Sequence, residues 1–475
     1  MERFDHFIDG ESRPSADGRV FASVNPHTEE PWAEAALGGP AEVDAAVAAA
    51  TRAFEEGPWP RMGTGERREI LYRLAELMVE HKRELAECDT RDMGKPISRL
   101  LQGEVAGAAS NFRLAADEAD LGHAETYPKD ANHHIYTQYA PAGVVAAVAP
   151  WNFALTMGSW KVAAPLAWGN TVVLKPAEQS PGSAALMARL AAEAGMPPGV
   201  FNVVHGFGPG SAGGHLVAHP GISRITFTGS SGVGAAISRV AADRLVPVTL
   251  ECGGKGAGLV FDDADLDLAV PTCARAIFSN SGQVCLVTSR LYVQRAIFDE
   301  FVARFVAQAE TLTVGDPMDP ATDLGPVVSR EQHDKICGYL DSIPQDGGKI
   351  LTGGRGDGLY IRPTVAVGLP PTARACREEI FGPVVCIAPF DTEAEAVALA
   401  NDSDFGLTAA LYTKDLRRAH QVAEQVRSGT VWVNTWGIRE RRAPFGGYKL
   451  SGVGREGGHF HRDFFTEPKA IVMRY

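Results

Sequence analysis

The chain has 475 residues, 45% hydrophobic and 22% charged, with a formal net charge of −13 at pH 7. That length suits two or three domains with cores of their own, and an acidic balance without a basic cluster argues against a nucleic-acid partner. The seven cysteines are scattered and form no Cys-x-x-Cys pair, which argues against a disulfide framework or a metal site and for a reducing, cytoplasmic setting.

The first residues, Met1-Glu2-Arg3-Phe4-Asp5-His6-Phe7, lack the apolar core of a secretory signal. The most apolar stretch, Val144 to Leu174, is interrupted by Pro150, Asn152, Lys161, Pro165 and Asn170, so no membrane association is expected. Residues 1 to about 40 read as short strands and turns, with Asp9-Gly10 and Asn25-Pro26 as turn signals. An Ala-rich helix is expected over Ala41 to Ala53. A longer one is expected over Gly65 to Cys88, where Ile70, Leu71, Leu74, Leu77, Met78 and Leu85 recur at helical spacing. Another helix is expected from Ile97 to Ala119, followed by a strand at His134 to Tyr139.

The middle of the chain is the most regular. Apolar runs at Val144–Val148, Val172–Leu174, Phe201–Val204, Ile225–Phe227 and Val248–Leu250 alternate with helix-like segments at Gly158–Trp168, Pro181–Ala194, Ser211–Ala218 and Gly232–Arg244. The alternation predicts βαβ units and a parallel sheet, which binds ligands beyond the carboxyl ends of its strands. Those ends read Pro150-Trp151-Asn152-Phe153, Lys175-Pro176-Ala177-Glu178, Gly206-Phe207-Gly208-Pro209-Gly210, Thr228-Gly229-Ser230-Ser231-Gly232-Val233-Gly234 and Glu251-Cys252-Gly253-Gly254-Lys255. Glycines let a backbone approach a ligand, and helix N-termini favour phosphate. The run from Gly229 to Gly234 is not the Gly-x-Gly-x-x-Gly fingerprint, however, and reads equally as a turn. Glu178 suits ribose hydroxyls and would repel a 2′-phosphate, or is simply a charge at a helix start.

A second αβ region follows Gly258. Helices are expected at Ala264–Phe278, Arg295–Leu312, Ser329–Asp341, Thr392–Ala400 and Leu416–Ser428, and strands at Leu291–Val293, Val384–Phe390, Ala409–Tyr412 and Val431–Val433. Between the first helix and the first strand lies Phe278-Ser279-Asn280-Ser281-Gly282-Gln283-Val284-Cys285, which ends in a thiol on a polar, Gly-containing loop. Cys285 reads as an inconsequential loop cysteine or as a nucleophile, since a thiolate needs little activation. The strand-like tail Ala470 to Met473, with His134 to Tyr139, suggests an assembly arm or an edge hairpin.

These strand-end motifs, with Gly282-Gln283-Val284-Cys285, Glu379-Ile380-Phe381-Gly382-Pro383 and Pro444-Phe445-Gly446-Gly447, resemble in order and spacing those of the NAD(P)-dependent aldehyde dehydrogenases over essentially the whole chain. The resemblance implies an α/β fold in three parts. These are a Rossmann-like parallel-sheet cofactor domain (1–122 and 142–252), an αβ catalytic domain carrying the cysteine nucleophile (253–450), and a small β oligomerisation arm (123–141 and 451–475). It implies that Cys285 attacks the aldehyde, that the Asn152 amide and the Cys285 N–H stabilise the oxyanion, and that hydride transfer leaves a thioester. Glu251 would activate the hydrolytic water. Lys175 is grouped with these catalytic residues and, with Glu178, on the adenosine ribose. Glu379 would hold the nicotinamide ribose and Phe381 pack near the ring. Gly229 and Ser230 would meet the pyrophosphate, with Val233 nearby, while Pro150, Trp151, Gly208 and Phe227 line the groove. Cys252 stands where the family usually has leucine; its carbonyl would face the nicotinamide amide, and its thiol is either a small buried filler or a source of oxidation sensitivity. The implied cofactor is NAD in preference to NADP, and the implied assembly a homodimer or homotetramer.

By the same resemblance the access tunnel is lined by Gly107, Phe153, Met157, Trp160, Ser279, Arg439 and Phe445. The segment Asn434 to Gly447 is similar to the branch that oxidises muconic-type semialdehydes in aromatic catabolism, where an arginine pairs with the substrate carboxylate. That branch often has a further arginine in the helix before Asn111-Phe112; here the place is read as Gly107, so the second cation is missing. If Arg439, Arg441 and Arg442 are instead a surface or subunit-contact run, a broad apolar or aromatic aldehyde dehydrogenase is the alternative. A CoA-acylating relative would not need Glu251, and a non-catalytic relative would not need Cys285, Glu251 and Asn152 together.

Overall fold

The structure is a computed structural model that describes residues 1–475. The alternating apolar runs form the centre of an eight-stranded sheet. Its order is Gly452–Val453, Val248–Glu251, Arg224–Thr228, Val144–Val148, Thr171–Lys175, Phe201–Val203, His6–Ile8 and Glu11–Arg13. The five strands between Val248–Glu251 and Phe201–Val203 are parallel. They read as unbroken apolar runs because both faces are covered. Val145, Ala147, Val172 and Leu174 point into one core with helices Thr64–Glu80, Val105–Asp120, Ala154–Ala167 and Gly182–Glu193. Val144, Ala146 and Val173 point into another, with helices Pro40–Glu55, Ala212–Ala218 and Ser231–Ala242.

A second, seven-stranded sheet has the order Lys349–Arg355, Ile361–Val367, Val384–Phe390, Arg290–Gln294, Ala257–Val260, Thr408–Tyr412 and Thr430–Val433. Only the Lys349–Arg355 edge pairs antiparallel. The strand Ala257–Val260 and the edge hairpin escape the sequence reading. Gly258 lies where a Cβ would meet Leu291 at 2.5 Å, and Gly353 and Gly354 break the hairpin's register. Gly258 in the one, and Gly353, Gly354 and Pro363 in the other, hide both from sequence patterning.

Two expected helices are more broken than periodicity suggests. The Gly65–Cys88 helix divides at His81 into Thr64–Glu80 and Lys82–Met93. The first half packs mainly on helix Val105–Asp120, the second on helix Gly182–Glu193 and strand Val20–Asn25. The Ile97–Ala119 helix contains a π turn at Leu100–Glu104, a feature frequent at functional sites.

A separate antiparallel sheet pairs Thr466–Arg474 with His133–Pro141, and the latter with Thr126–Asp130. Its outer residues Tyr127, Val472 and Met473 are exposed. Residues 451–465, grouped with this arm from sequence, depart from it. Gly452–Val453 extends the large sheet beside Val248–Glu251, and helix His459–Phe465 packs on helix Ala154–Ala167. Only Thr466–Arg474 enters the arm sheet.

Candidate active site

Helix Leu266–Phe278 ends in a turn that holds three consecutive residues in the left-handed region: Asn280 (φ 50°), Ser281 (φ 53°) and Gly282 (φ 71°). For Asn280 and Ser281 this conformation costs about 1–2 kcal/mol each, so the surroundings must impose it. Ser281 Oγ donates to the Gly325 carbonyl (2.7 Å), and Asn280 Nδ2 to the Asn152 carbonyl (3.0 Å). The Gln283 amide oxygen accepts from Val328 N–H (3.0 Å). Gly282 is required twice over, because a Cβ there would lie 2.1 Å from the Gly382 carbonyl carbon. The loop that ends in Cys285 thus abuts the loop bearing Glu379, Phe381 and Gly382.

Cys285 is half-buried where two cavities meet, one of about 490 Å³ and one of about 170 Å³; Asn152, Thr228 and Cys252 line both as well. Asn152 Nδ2 donates to the Gln283 carbonyl (2.8 Å), which fixes the amide and leaves its second hydrogen free. Burial, then the charges of Glu379 and Glu251, push the Cys285 thiol up to about 12, so a base must take its proton. Glu251 ends its strand at the wall of the larger cavity, and neither carboxylate oxygen has a partner. Burial first, then Glu456, raise Glu251 well above the usual carboxylate range. Gly446 makes room for it: a Cβ there would lie 2.8 Å from Glu251 Oε1.

Sequence reasoning missed the pair behind this carboxylate. Lys161 Nζ lies 2.5 Å from Glu456 Oε1, both side chains are buried, and Trp160 Nε1 donates to Glu456 Oε2 (2.6 Å). The signal was present: a lysine inside an otherwise apolar helix requires a buried anion.

The smaller cavity gathers Pro150, Trp151, Gly229, Ser230, Glu379 and Phe381. Phe381 (φ 57°) meets the Trp151 ring edge-on at 5.4 Å. Glu379 Oε1 accepts from Gly254 N–H at 2.8 Å. Phe227 is buried beneath Gly229, where a Cβ would strike its ring at 2.4 Å, and supports the groove from below. Ser230 Oγ accepts from Val233 N–H (3.4 Å) and caps helix Ser231–Ala242, whose N-terminus favours phosphate. Gly208 and the exposed Val233 lie outside this cavity. So does Lys175, which lines neither cavity and pairs with Glu178 at 3.0 Å, a place that separates it from the Cys285 chemistry it was grouped with. The Gly229 backbone in the cavity wall, the buried, partnerless Thr228 Oγ1 and the carboxylate of Glu379 together fit a dinucleotide. Cys252 is buried with its sulfur against Gly234, and its thiol is pushed up to about 11 by burial and then by Glu251, as befits a filler and not a reactive thiol.

The larger cavity is lined by Phe153, Met157, Trp160, Ser279, Arg439 and Phe445, as expected, but not by Gly107. The reason is Arg441. Its Nη1 donates to Ser110 Oγ, and its Nη2 sits 3.2 Å from where a Gly107 Cβ would be, so the missing side chain gives Arg441 its room. A guanidinium from the C-terminal segment thus occupies the space beside Gly107 and lines the cavity. Arg439 lies over the rings of Trp160 (4.3 Å) and Phe445 (3.9 Å), with its Nε and Nη2 buried and unpaired. Arg442 alone turns away, exposed and paired with Glu440 (2.9 Å). Arg99, just ahead of the π turn, and Glu104 within it also line the cavity, and Glu104 holds Lys95 at 2.7 Å.

A sequence profile described as the aldehyde dehydrogenase family matches residues 13–471. The chain is 44% identical over 486 aligned positions to the 2-hydroxymuconic semialdehyde dehydrogenase of Pseudomonas sp. (strain CF600), covering all of both chains. It is 42% identical over 473 positions to retinal dehydrogenase 2 of Homo sapiens, covering 98% of this chain and 91% of that one. It superposes with a TM-score of 0.97 on the NAD+ complex of an aldehyde dehydrogenase from Bacillus cereus, at 39% identity, covering 100% of this chain and 97% of the other.

Proposed function

The chain belongs to the aldehyde dehydrogenase family, and from that premise we propose that it oxidises an acidic semialdehyde of aromatic catabolism to the dicarboxylate with NAD. The observation that carries the substrate assignment is the buried, unpaired guanidinium of Arg439 between Trp160 and Phe445, with Arg441 beside it in the same cavity. A carboxylate satisfies such a fork with two charge-assisted hydrogen bonds. The 2-hydroxymuconic semialdehyde dehydrogenase relative is consistent with it.

In this reading Glu251 takes the Cys285 proton and the thiolate attacks the aldehyde carbon, forming a thiohemiacetal. The free hydrogen of the Asn152 amide and the Cys285 N–H hold the oxyanion. NAD, when bound, supplies the acceptor for the hydride that leaves this carbon, and a thioester remains on Cys285. Once Glu251 has released that first proton to solvent it takes another from water, the hydroxide attacks the thioester, and the carboxylate product departs as the C–S bond breaks and the Cys285 thiolate is restored. Glu379, Trp151 and Phe381 hold the nicotinamide end, Gly229 and the N-terminus of Ser231–Ala242 the pyrophosphate, and Lys175 and Glu178 the adenosine ribose. The Glu178 carboxylate favours NAD over NADP by repelling a 2′-phosphate.

The test is NADH formation with 2-hydroxymuconic and succinic semialdehydes against benzaldehyde and hexanal. The acidic substrates should lead in kcat/KM by roughly 10-fold or more, the value of one charged hydrogen bond. A lead for the apolar aldehydes overturns the assignment. The ring-lined walls of Phe153, Trp160 and Phe445 favour that second reading, an aromatic or apolar aldehyde.

We also infer a division into a cofactor domain, a catalytic domain from about residue 253, and an arm of 123–141 with the terminal strand. The exposed apolar residues Tyr127, Val472 and Met473 of the arm support a homodimer or homotetramer, to be read by light scattering. The scattered, unpaired cysteines suit a cytoplasmic protein.

A further inference from the structure

Two thiols outside the catalytic set lie at the root of the loop that carries Glu379. Cys376 is half-buried on the short helix Arg374–Arg377, and Cys386 is buried on strand Val384–Phe390. Cys386 Sγ lies 3.6 Å from the Ala375 carbonyl oxygen, against the peptide that leads into Cys376. The buried ammonium of Lys255 donates to the same Ala375 carbonyl at 2.8 Å. Arg290 lies on the adjacent strand, in register with Cys386. Its guanidinium contacts only the carbonyls of Lys255, Leu399, Ala400 and Asp402 and the Tyr292 hydroxyl, with no carboxylate to neutralise it.

An accessible thiol beside cations, with a second thiol buried behind it, is the arrangement in which one cysteine is oxidised and the other resolves it. The electrostatics agree. The neighbouring Cys386 thiol, first, and then Lys255 and Arg290 lower Cys376 against the effect of burial, while the Cys386 thiol is raised well above its usual value.

We propose that Cys376 and Cys386 are a peroxide-sensitive thiol pair whose disulfide weakens dinucleotide binding by the intervening Glu379–Phe381 loop. The Cys376 thiolate attacks one peroxide oxygen, the O–O bond breaks, and a sulfenic acid and hydroxide result. The Cys386 sulfur then attacks the sulfenic sulfur, the S–O bond breaks, and water leaves with the thiol proton. Two thiols lose two electrons and two protons, and the peroxide becomes two waters. A dithiol reverses the change. Closing the bond draws helix Arg374–Arg377 onto the strand, and the residues between the sulfurs include Glu379, Phe381 and Gly382, the last of which packs on Gly282. The consequence for binding rests on the assignment of Glu379 to the dinucleotide. The chemistry of the pair does not.

The experiment uses the full-length Cys285→Ala protein, so that the catalytic thiol takes no part, treated with hydrogen peroxide and then alkylated. Trypsin releases Cys376 in Ala375–Arg377 and Cys386 in Glu378–Lys414. The expected product is these two peptides joined, lighter by two hydrogens. NAD Kd by calorimetry should rise roughly tenfold, the value of one charged hydrogen bond. Dithiothreitol should restore it, and Cys376→Ser should prevent the change. Absence of the joined peptide overturns the thiol pair. A joined peptide with unchanged Kd overturns the effect on binding, provided that Glu379→Ala weakens NAD. If Glu379→Ala leaves Kd unchanged, it is the loop's assignment to the dinucleotide that has failed.

Discussion

Replacing Arg439 with methionine keeps an unbranched chain between the rings of Trp160 and Phe445 and removes the cation. Arg439 lines the cavity and its Nε and Nη2 have no protein partner, so the contact that stands to be lost is the one to a substrate carboxylate. A hydrogen-bonded charge contact is worth about 1.5–3 kcal/mol, so kcat/KM for 2-hydroxymuconic semialdehyde should fall roughly 10- to 150-fold. Benzaldehyde makes no such contact and should change by less than about threefold. A second effect must be separated from the first. Arg439 is among the charges that hold Glu251 down against burial and Glu456. Its loss raises Glu251 further and moves the acid limb of the pH profile upward for every substrate. Initial rates of NADH formation should therefore be compared on the plateau above the shifted limb. Equal losses for the two aldehydes on that plateau would refute the carboxylate clamp and leave Arg439 a purely electrostatic neighbour of Glu251.

Other perturbations test the rest of the site. Both Glu251 and Cys285 are raised by burial and act in their deprotonated forms, so wild-type turnover should climb from neutral into alkaline pH; a flat profile there would contradict the roles given to them. Glu251→Gln should lower kcat by roughly 100- to 10,000-fold, and Cys285→Ala should abolish NADH formation while NAD still binds; retained turnover by the latter removes Cys285 as nucleophile. Glu178→Ala should narrow the kcat/KM preference for NAD over NADP by roughly tenfold or more, since like charges in contact cost several kcal/mol; an unchanged ratio places the discrimination elsewhere. Gly282→Ala forces a Cβ to 2.1 Å from the Gly382 carbonyl carbon at a φ of 71°, at about 1–2 kcal/mol for the backbone and about 1–3 kcal/mol for overpacking. Thermal unfolding followed by circular dichroism should show the loss, and an unchanged Tm would mean that the two loops yield easily.

What was legible in the sequence was local. The five parallel strands stood out because a strand covered on both faces is apolar throughout, and the residues at their ends converge because a parallel sheet leaves them no other place. Ala257–Val260 did not stand out because its Gly258 fits beneath Leu291, a fact about a neighbour and not about the segment. The break at His81 depends on which helices the two halves meet. Arg441 shows the limit most clearly. Gly107 read as a lost cation, yet an absent side chain is also space, and the guanidinium that occupies it comes from far along the chain. Lys161 was a legible anomaly whose partner, Glu456, was not.

That partner has a consequence for how the protein is made. All five parallel strands have been synthesised once the ribosome passes Glu251, but two of their requirements arrive near the end of translation. Until Gly452–Val453 emerges, strand Val248–Glu251 presents an open edge on which a neighbouring nascent chain can pair. Until Glu456 emerges, Lys161 cannot be enclosed without leaving a buried, uncompensated charge. The helix Ala154–Ala167 that carries Lys161 therefore cannot settle on its sheet early. A polypeptide that stops short of these residues keeps an open strand edge beside Glu251 and an unpaired lysine behind it, so that quality control and catalysis depend on the same late stretch of chain.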